Sequence, residues 1–295
     1  MAFGWLVKGL AALGLLSAGA VEARVPAPRP ALWKVSDRDT TIYLFGTIHL
    51  LPRNYPWRSA ALEKAADQSQ GLIVETIVDE KNPQSFAADF NKLAISPGLP
   101  RLIDRVSADK RPAMAAMLAK AGPMAAGMDR LETWAAAMML LGPQFNSAGL
   151  NQADGVETVL KQKFAAAGKP IGQLETNAEQ LGFFDVLPEA AQRNLLEGAL
   201  ERPEEVRKQF DGMLAAWSRG DVKAIAATFN SEMSESPMLT EMLLKRRNEN
   251  WSRWIQQRMA QPGTVMIAVG AGHLAGPYSV QTMLQKRGLK VTRVQ

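Results

Sequence analysis

Two stretches decide how this chain is read: Thr41-Ile-Tyr-Leu-Phe-Gly46-Thr-Ile-His49-Leu-Leu51 and Thr264-Val-Met-Ile-Ala-Val-Gly270-Ala-Gly-His273-Leu-Ala275. Each is an apolar, β-prone run that reads as a buried strand, followed at once by Gly-x-x-His. The chain has two histidines in 295 residues, and these motifs hold both. Two similar strands that end in the same motif and carry all of the imidazole argue for one site.

Working outward, further polar residues fall at strand ends. Leu72-Ile-Val-Glu75 reads as a strand closing on Glu75, and Lys169-Pro-Ile-Gly-Gln-Leu174 as a strand followed by Glu175. In α/β sheets ligands collect at the carboxyl ends of strands. His49, Glu75, Glu175 and His273 therefore converge if their strands run mostly parallel. Two imidazoles with one or two carboxylates form a plausible divalent-metal site. Gly46 and Gly270 are read as letting the backbone turn sharply, so that each histidine points back over the sheet edge. Each residue also has a plainer reading. A lone histidine after a strand commonly bonds a carbonyl. Glu75 could face solvent on an edge strand, although its apolar neighbours make an unpartnered carboxylate costly there. Glu175 equally suits the positive end of a helix opening at Thr176. Asp154-Gly-Val-Glu157 and Thr176-Asn-Ala-Glu179 both match capping boxes, which makes Asp154 and Glu157 helix caps.

The segments between the strands are helical. Ser59 to Gln68 carries Ala61, Leu62, Ala65 and Ala66 on one face, and residues 83–168 are rich in Ala, Met and Leu at helical spacing. The methionine stripe there is read as core packing. Residues 188–259 read as helices broken near Pro203, Gly220 and Pro237. Leu32-Trp-Lys-Val35 and Thr41–Phe45 flank Ser36-Asp-Arg-Asp39, a hairpin signature. The expected fold is mixed α/β. A central, mostly parallel or mixed sheet is built from both ends of the chain, with large helical insertions at about 83–168 and 188–259 within a domain spanning 32–295.

Composition narrows the chemistry. There is no cysteine, which excludes disulfides, thiolate metal sites and cysteine nucleophiles. The net charge of +5 is dispersed, with one dense basic cluster at Lys245-Arg246-Arg247, and gives no nucleic-acid signature. A Gly-x-Ser-x-Gly elbow, a Walker loop, a full dinucleotide fingerprint and a His-Glu-x-x-His helix are all missing. Residues 1–23 read as a signal peptide: Lys8 precedes the apolar run Gly9–Val21, and small-x-small sites follow at Ala18-Gly-Ala20 and Val21-Glu-Ala23. An uncleaved anchor is the alternative. The expected location is thus exported, periplasmic or membrane-held facing the periplasm. Residues 24–31 form a Pro-rich linker.

Five blocks together resemble the TraB/GumN family, which includes the Tiki-type proteases. They are Leu44-Phe-Gly-Thr-Ile-His49-Leu-Leu-Pro52, Val74-Glu75, Lys169-Pro-Ile-Gly-Gln-Leu-Glu-Thr176, Arg247-Asn248-x-x-Trp251 and Val269-Gly-Ala-Gly-His273-Leu-Ala-Gly276. The resemblance spans about Leu32 to Val294. It departs at Gly155-Val-Glu157, where relatives carry Gly-x-Asp, which weakens a site role for residue 157. For its Tiki branch the resemblance implies divalent-metal-dependent peptide hydrolysis. Carried onto this chain, His49, His273, Glu75 and Glu175 would hold manganese, cobalt or zinc. Glu75 would be base or ligand, and Arg247 would stabilise the oxyanion. The substrate would be a peptide or another small molecule. The alternatives are a haem- or metal-binding protein without catalysis and a non-catalytic family member.

Overall fold

The structure, a computed structural model, describes residues 27–78, 82–233 and 237–295. The expected leader, 1–23, lies outside the described residues, as do residues 24–26 of the linker.

Six strands form one sheet: β1 Leu32–Ser36, β2 Thr40–Thr47, β3 Gly71–Val74, β4 Ile171–Gln173, β5 Gly263–Gly270 and β6 Val291–Arg293. The order is β4-β3-β5-β2-β1-β6. The strands β4, β3, β5 and β2 are mutually parallel, while β1 runs antiparallel to both β2 and β6. The hairpin joins β1 to β2, and Asp37 Oδ1 closes its turn by accepting from Thr40 N at 2.8 Å. The expected mixed, mostly parallel sheet is therefore present, and its two central strands are the twin runs of the sequence.

Period-two alternation explains the layers. Ile42, Leu44, Val265, Ile267 and Val269 face one side, where they meet Trp251, Ile255, Val280 and Leu284. Those four come from α10 (Arg246–Arg258) and α11 (Val280–Lys286). Phe45, Leu72, Val74, Met266 and Ala268 face the other side. They meet α1 (Ala60–Gln68) through Leu62, Ala65 and Ala66, α5 (Val156–Ala166) through Leu160 and Phe164, and α8 (Pro203–Ser218) through Trp217. Each Val, Leu, Ile, Phe or Met side chain among them, taken fully out of water, stabilises by about 1.5–3 kcal/mol. The indole of Trp217 also donates to the Gly46 carbonyl at 2.8 Å, so burial costs it no hydrogen bond.

The helical block contains α2 (Pro83–Ala94), α3 (Arg111–Ala121), α4 (Thr133–Ser147), α6 (Asn177–Asp185), α7 (Glu189–Gly198) and α9 (Val222–Met233). Trp134 sits at its centre, fully buried between Phe90 and Phe184. Met114 and Met128 pack in the core as expected, whereas Met124 and Met139 are exposed. The helix expected over Met238–Met259 has a π-helical segment at Thr240–Lys245, and α10 follows it directly.

Two sequence readings need correction. The first capping box does not form: Gly155, not Asp154, is the N-cap of α5, and no side chain caps it. Glu157 instead turns to His49 and Thr47. The second box, Thr176 with Glu179, is present at α6. The two motif glycines do not make sharp turns either. Gly46 lies inside β2 opposite Val269, and Gly270 ends β5 with φ −49° and ψ 136°. What they provide is close approach. A methyl group on Gly46 would press on Ala271 at 3.1 Å, and one on Gly270 on Glu75 Oε1 at 3.3 Å.

Gly155 provides the tightest approach of this kind. Val156 N donates to the Ile48 carbonyl at 3.0 Å, and a side chain at 155 would overlap the carbonyl of His49. Gly155→Ala is therefore expected to destabilise the fold by about 3 kcal/mol or to displace the His49 loop. Gly142→Ala, inside α4 with open space around it, should be neutral or stabilise by up to about 1 kcal/mol. Urea unfolding of the two variants measures the contrast.

Candidate functional site

Because β4, β3, β5 and β2 lie side by side and parallel, their carboxyl ends form one edge. Along it come Glu175, Glu75, the Gly270–His273 turn and His49. Glu75 and Glu175 are tied by their backbones, Glu175 N donating to the Glu75 carbonyl at 3.0 Å. His273 sits in a 3₁₀ turn, Ala271–Leu274, and is buried. The two imidazoles flank Gly270, whose α-methyl, if present, would lie 3.7 Å from both His49 Nε2 and His273 Cδ2.

Glu75, Glu175 and His273 meet around a further residue, Arg247, which α10 delivers from the opposite layer. All five of its N–H bonds have protein acceptors. Nε donates to both Glu175 oxygens at 3.1 Å, and Nη2 to Glu75 Oε2 at 2.6 Å and Glu175 Oε1 at 2.5 Å. Nη1 faces the Leu243 carbonyl at 3.3 Å and His273 Nε2 at 3.1 Å. The guanidinium also lies 4.8 Å from the Trp251 ring centre and 5.6 Å from that of Phe183, both within cation–π range. Trp251 Nε1 and Gln180 Nε2 each donate to Glu175 at 3.2 Å, and Gln180 also reaches Glu75.

These contacts shift the protonation of each group. Burial works against ionising Glu75. Arg247, with smaller contributions from the histidines and the Gly270 N–H at 2.7 Å, overrides it and holds the carboxyl well below the usual range. Glu175 is pushed up, first by burial and also by the Glu75 charge, against the pull of Arg247. Burial, then Arg247, drives His273 down to about 3, so its ring is neutral. Its tautomer follows from Asn248. The Asn248 amide nitrogen donates to the carbonyls of His273 and Tyr278, so its oxygen faces His273 Nδ1 at 2.6 Å and accepts that proton. Nε2 is then the acceptor for Arg247.

His49 differs. Its ring is 63% exposed, and Nδ1 pairs with Glu157 Oε1 at 2.8 Å. Thr47 Oγ1 donates to the same oxygen. The attraction of Glu157 outweighs desolvation and raises His49 to about 9. Solvent around so open a ring screens part of this attraction. Glu157 Oε2 is buried without a hydrogen-bond partner among the described residues, which leaves His49 as the one cation paired with this carboxylate there. A cavity of about 330 Å³ opens beside the pair, lined by Glu75, Val74, Phe86, Gln152, Lys161 and Asn177 among others. A wider depression of about 510 Å³ lies elsewhere, by Ser147, Pro203 and Arg207, and shares none of these residues.

His49, Glu75, Glu175, Arg247 and His273 thus gather at one sheet edge. Sequence reasoning missed Glu157, taken as a cap, together with Thr47, Gln180 and Lys161. The one signal available was the Gly155-Val-Glu157 block itself. The nitrogen and oxygen donors are of the type that zinc, manganese or cobalt accept. As arranged they do not fit such an ion. Arg247 takes up lone pairs of Glu75, Glu175 and His273, and among the described residues no three His, Asp or Glu side chains come together to hold a metal. No described helix is long and apolar enough to cross a membrane.

A model of the TraB/PrgY/gumN family matches residues 31–293. The uncharacterized protein YbaP of Escherichia coli (strain K12) is 24% identical over 243 residues, which covers 82% of this chain and 87% of that protein. YbaP of Shigella flexneri gives the same figures. No solved structure matches.

The depressed His273 pKa links to stability. The unfolded chain binds this proton near pH 6.5 and the folded chain only near 3. The contribution is complete above 6.5 and is lost as pH falls towards about 3. Urea unfolding between pH 7 and 4 should show stability falling with acid, and His273→Gln should remove up to about 1 kcal/mol per pH unit of that slope.

Proposed function

The chain belongs to the TraB/PrgY/gumN family, and from that premise we propose that it is a hydrolase of small acyl substrates, peptides among them, with His49 as general base. The observation that carries this reading is the His49–Glu157 pair opening on the cavity. Glu157 holds Nδ1 and fixes the ring, which leaves Nε2 as the proton acceptor. Water loses a proton to Nε2 as its oxygen bonds to the substrate carbonyl carbon, and the carbonyl oxygen takes the negative charge. The C–N or C–O bond then breaks, and the leaving group takes the proton back from Nε2. Lys161, one helical turn beyond Glu157, lines the same cavity and is the cation available to the oxyanion.

Glu75 is the weaker base, because Arg247 stabilises its ionised form. With all its N–H bonds engaged, Arg247 positions the two glutamates and His273 in this reading rather than touching substrate. No step passes through a metal ion. Export through residues 1–23, with the domain in the periplasm or held facing it, belongs to the same proposal and rests on the sequence.

The test is turnover of a peptide and ester library across pH. A base must be neutral to act, so the wild-type rate should climb through the raised His49 pKa, towards about pH 9. Glu157→Gln should lower the rate and move that limb down towards the ordinary histidine value. His49→Gln should cost roughly 10²–10⁴-fold. Wild-type turnover that His49→Gln leaves unchanged, or a limb that Glu157→Gln does not move, would contradict the assignment.

A further inference from the structure

The resemblance to the Tiki branch implies a divalent ion, yet the donors expected to hold it already share a cation. We propose that Arg247 is the resident cation of this cluster and that it occupies the seat a divalent ion would otherwise take. Three donors point at its guanidinium: Glu75 Oε2 at 2.6 Å, Glu175 Oε1 at 2.5 Å and His273 Nε2 at 3.1 Å. Two carboxylates and one imidazole lone pair form a set that zinc, cobalt or manganese would bind at about 2.0–2.2 Å. An ion at such distances needs the lone pairs that Arg247 uses, so the two occupants exclude each other.

The guanidinium is also not easily pushed aside. It is 7% exposed, lies over the rings of Trp251 and Phe183, and is fixed by the carbonyl of Leu243, within the π-helical segment that ends two residues before it. His273 is committed through its other nitrogen as well, because Asn248 accepts from Nδ1 and so turns the Nε2 lone pair to Arg247. The unequal environments of the two carboxylates fit one organic cation between them: Arg247 forks onto Glu175 through two nitrogens and reaches Glu75 with one. Removing the side chain would leave two buried carboxylates and an imidazole facing a vacated cationic position, around which they could close on an ion. This inference does not depend on the hydrolase reading, since it concerns what the cluster binds and not what it turns over.

Cobalt(II) is the probe, because its visible ligand-field bands report nitrogen and oxygen coordination directly. The full chain and Arg247→Ala are titrated with Co²⁺ by calorimetry and absorption, with circular dichroism following the fold. The wild-type protein should take up no stoichiometric Co²⁺ at the cluster. Arg247→Ala should bind one ion roughly a hundredfold or more tighter than wild type, and adding Glu175→Gln should abolish that gain. If Arg247→Ala is unfolded alone, Co²⁺ should restore its circular dichroism. Two results would overturn the proposal. One is stoichiometric Co²⁺ on wild type that Glu75→Gln or His273→Gln removes. The other is an Arg247→Ala variant that folds without binding Co²⁺ or stays unfolded at saturating Co²⁺.

Discussion

The guanidinium of Arg247 is a buried charge, and the sheet edge is organised by the need to satisfy it. An unpaired cation at this depth would cost several kcal/mol. Glu75 from the end of β3, Glu175 from the end of β4 and His273 from the turn after β5 meet that need together. The ion pair to Glu75 joins residues 172 apart in the chain. The same contacts tie the α10 layer to three parallel strands, so one interaction fixes both the packing and the chemistry of the edge. It also separates the histidines. His273 is enclosed, neutral and committed to Arg247, while His49 stands open and charged beside Glu157.

The helical insertion at 83–168 reaches the site where α5 begins. Gly155 lets the start of α5 lie against the His49 backbone, and this brings Glu157 to Nδ1 of the ring and Lys161 to the cavity. A capping box would have spent the Glu157 carboxylate on its own helix. Because Gly155 holds the N-cap position, the carboxylate is left for His49 instead. The insertion is thus part of the site and not only a cover over it.

Much of this was legible in the sequence, for physical reasons. The twin runs read correctly as strands because buried strands must be apolar on both faces, and the parallel course that a shared site required of them is met by β2 and β5. Glu75 stood out because a carboxylate within such a run needs a partner, and Arg247 is that partner. The inequivalence of the two motifs was not legible. The strands pair with Gly46 opposite Val269 and Thr47 opposite Gly270, an offset of one residue. With side chains alternating along a strand, that offset sends two identical motifs into different surroundings. Nor was the role of Glu157 visible, since the pattern for a helix cap and the pattern for a carboxylate aimed at a distant loop are locally the same. Only the tertiary approach at Gly155 distinguishes them.

The central claim is that Arg247 and Glu157 hold the two histidines in opposite states, and two histidines in the whole chain make it directly measurable. Imidazole ¹⁵N and ¹H NMR of the uniformly labelled protein, followed across pH, reads both rings at once. The account predicts one ring protonated at pH 7 that loses its proton with a pKa raised towards about 9, and one neutral ring with its proton on Nδ1 that resists protonation down towards about 3. Two rings that titrate together near the ordinary value of about 6.5 would contradict it.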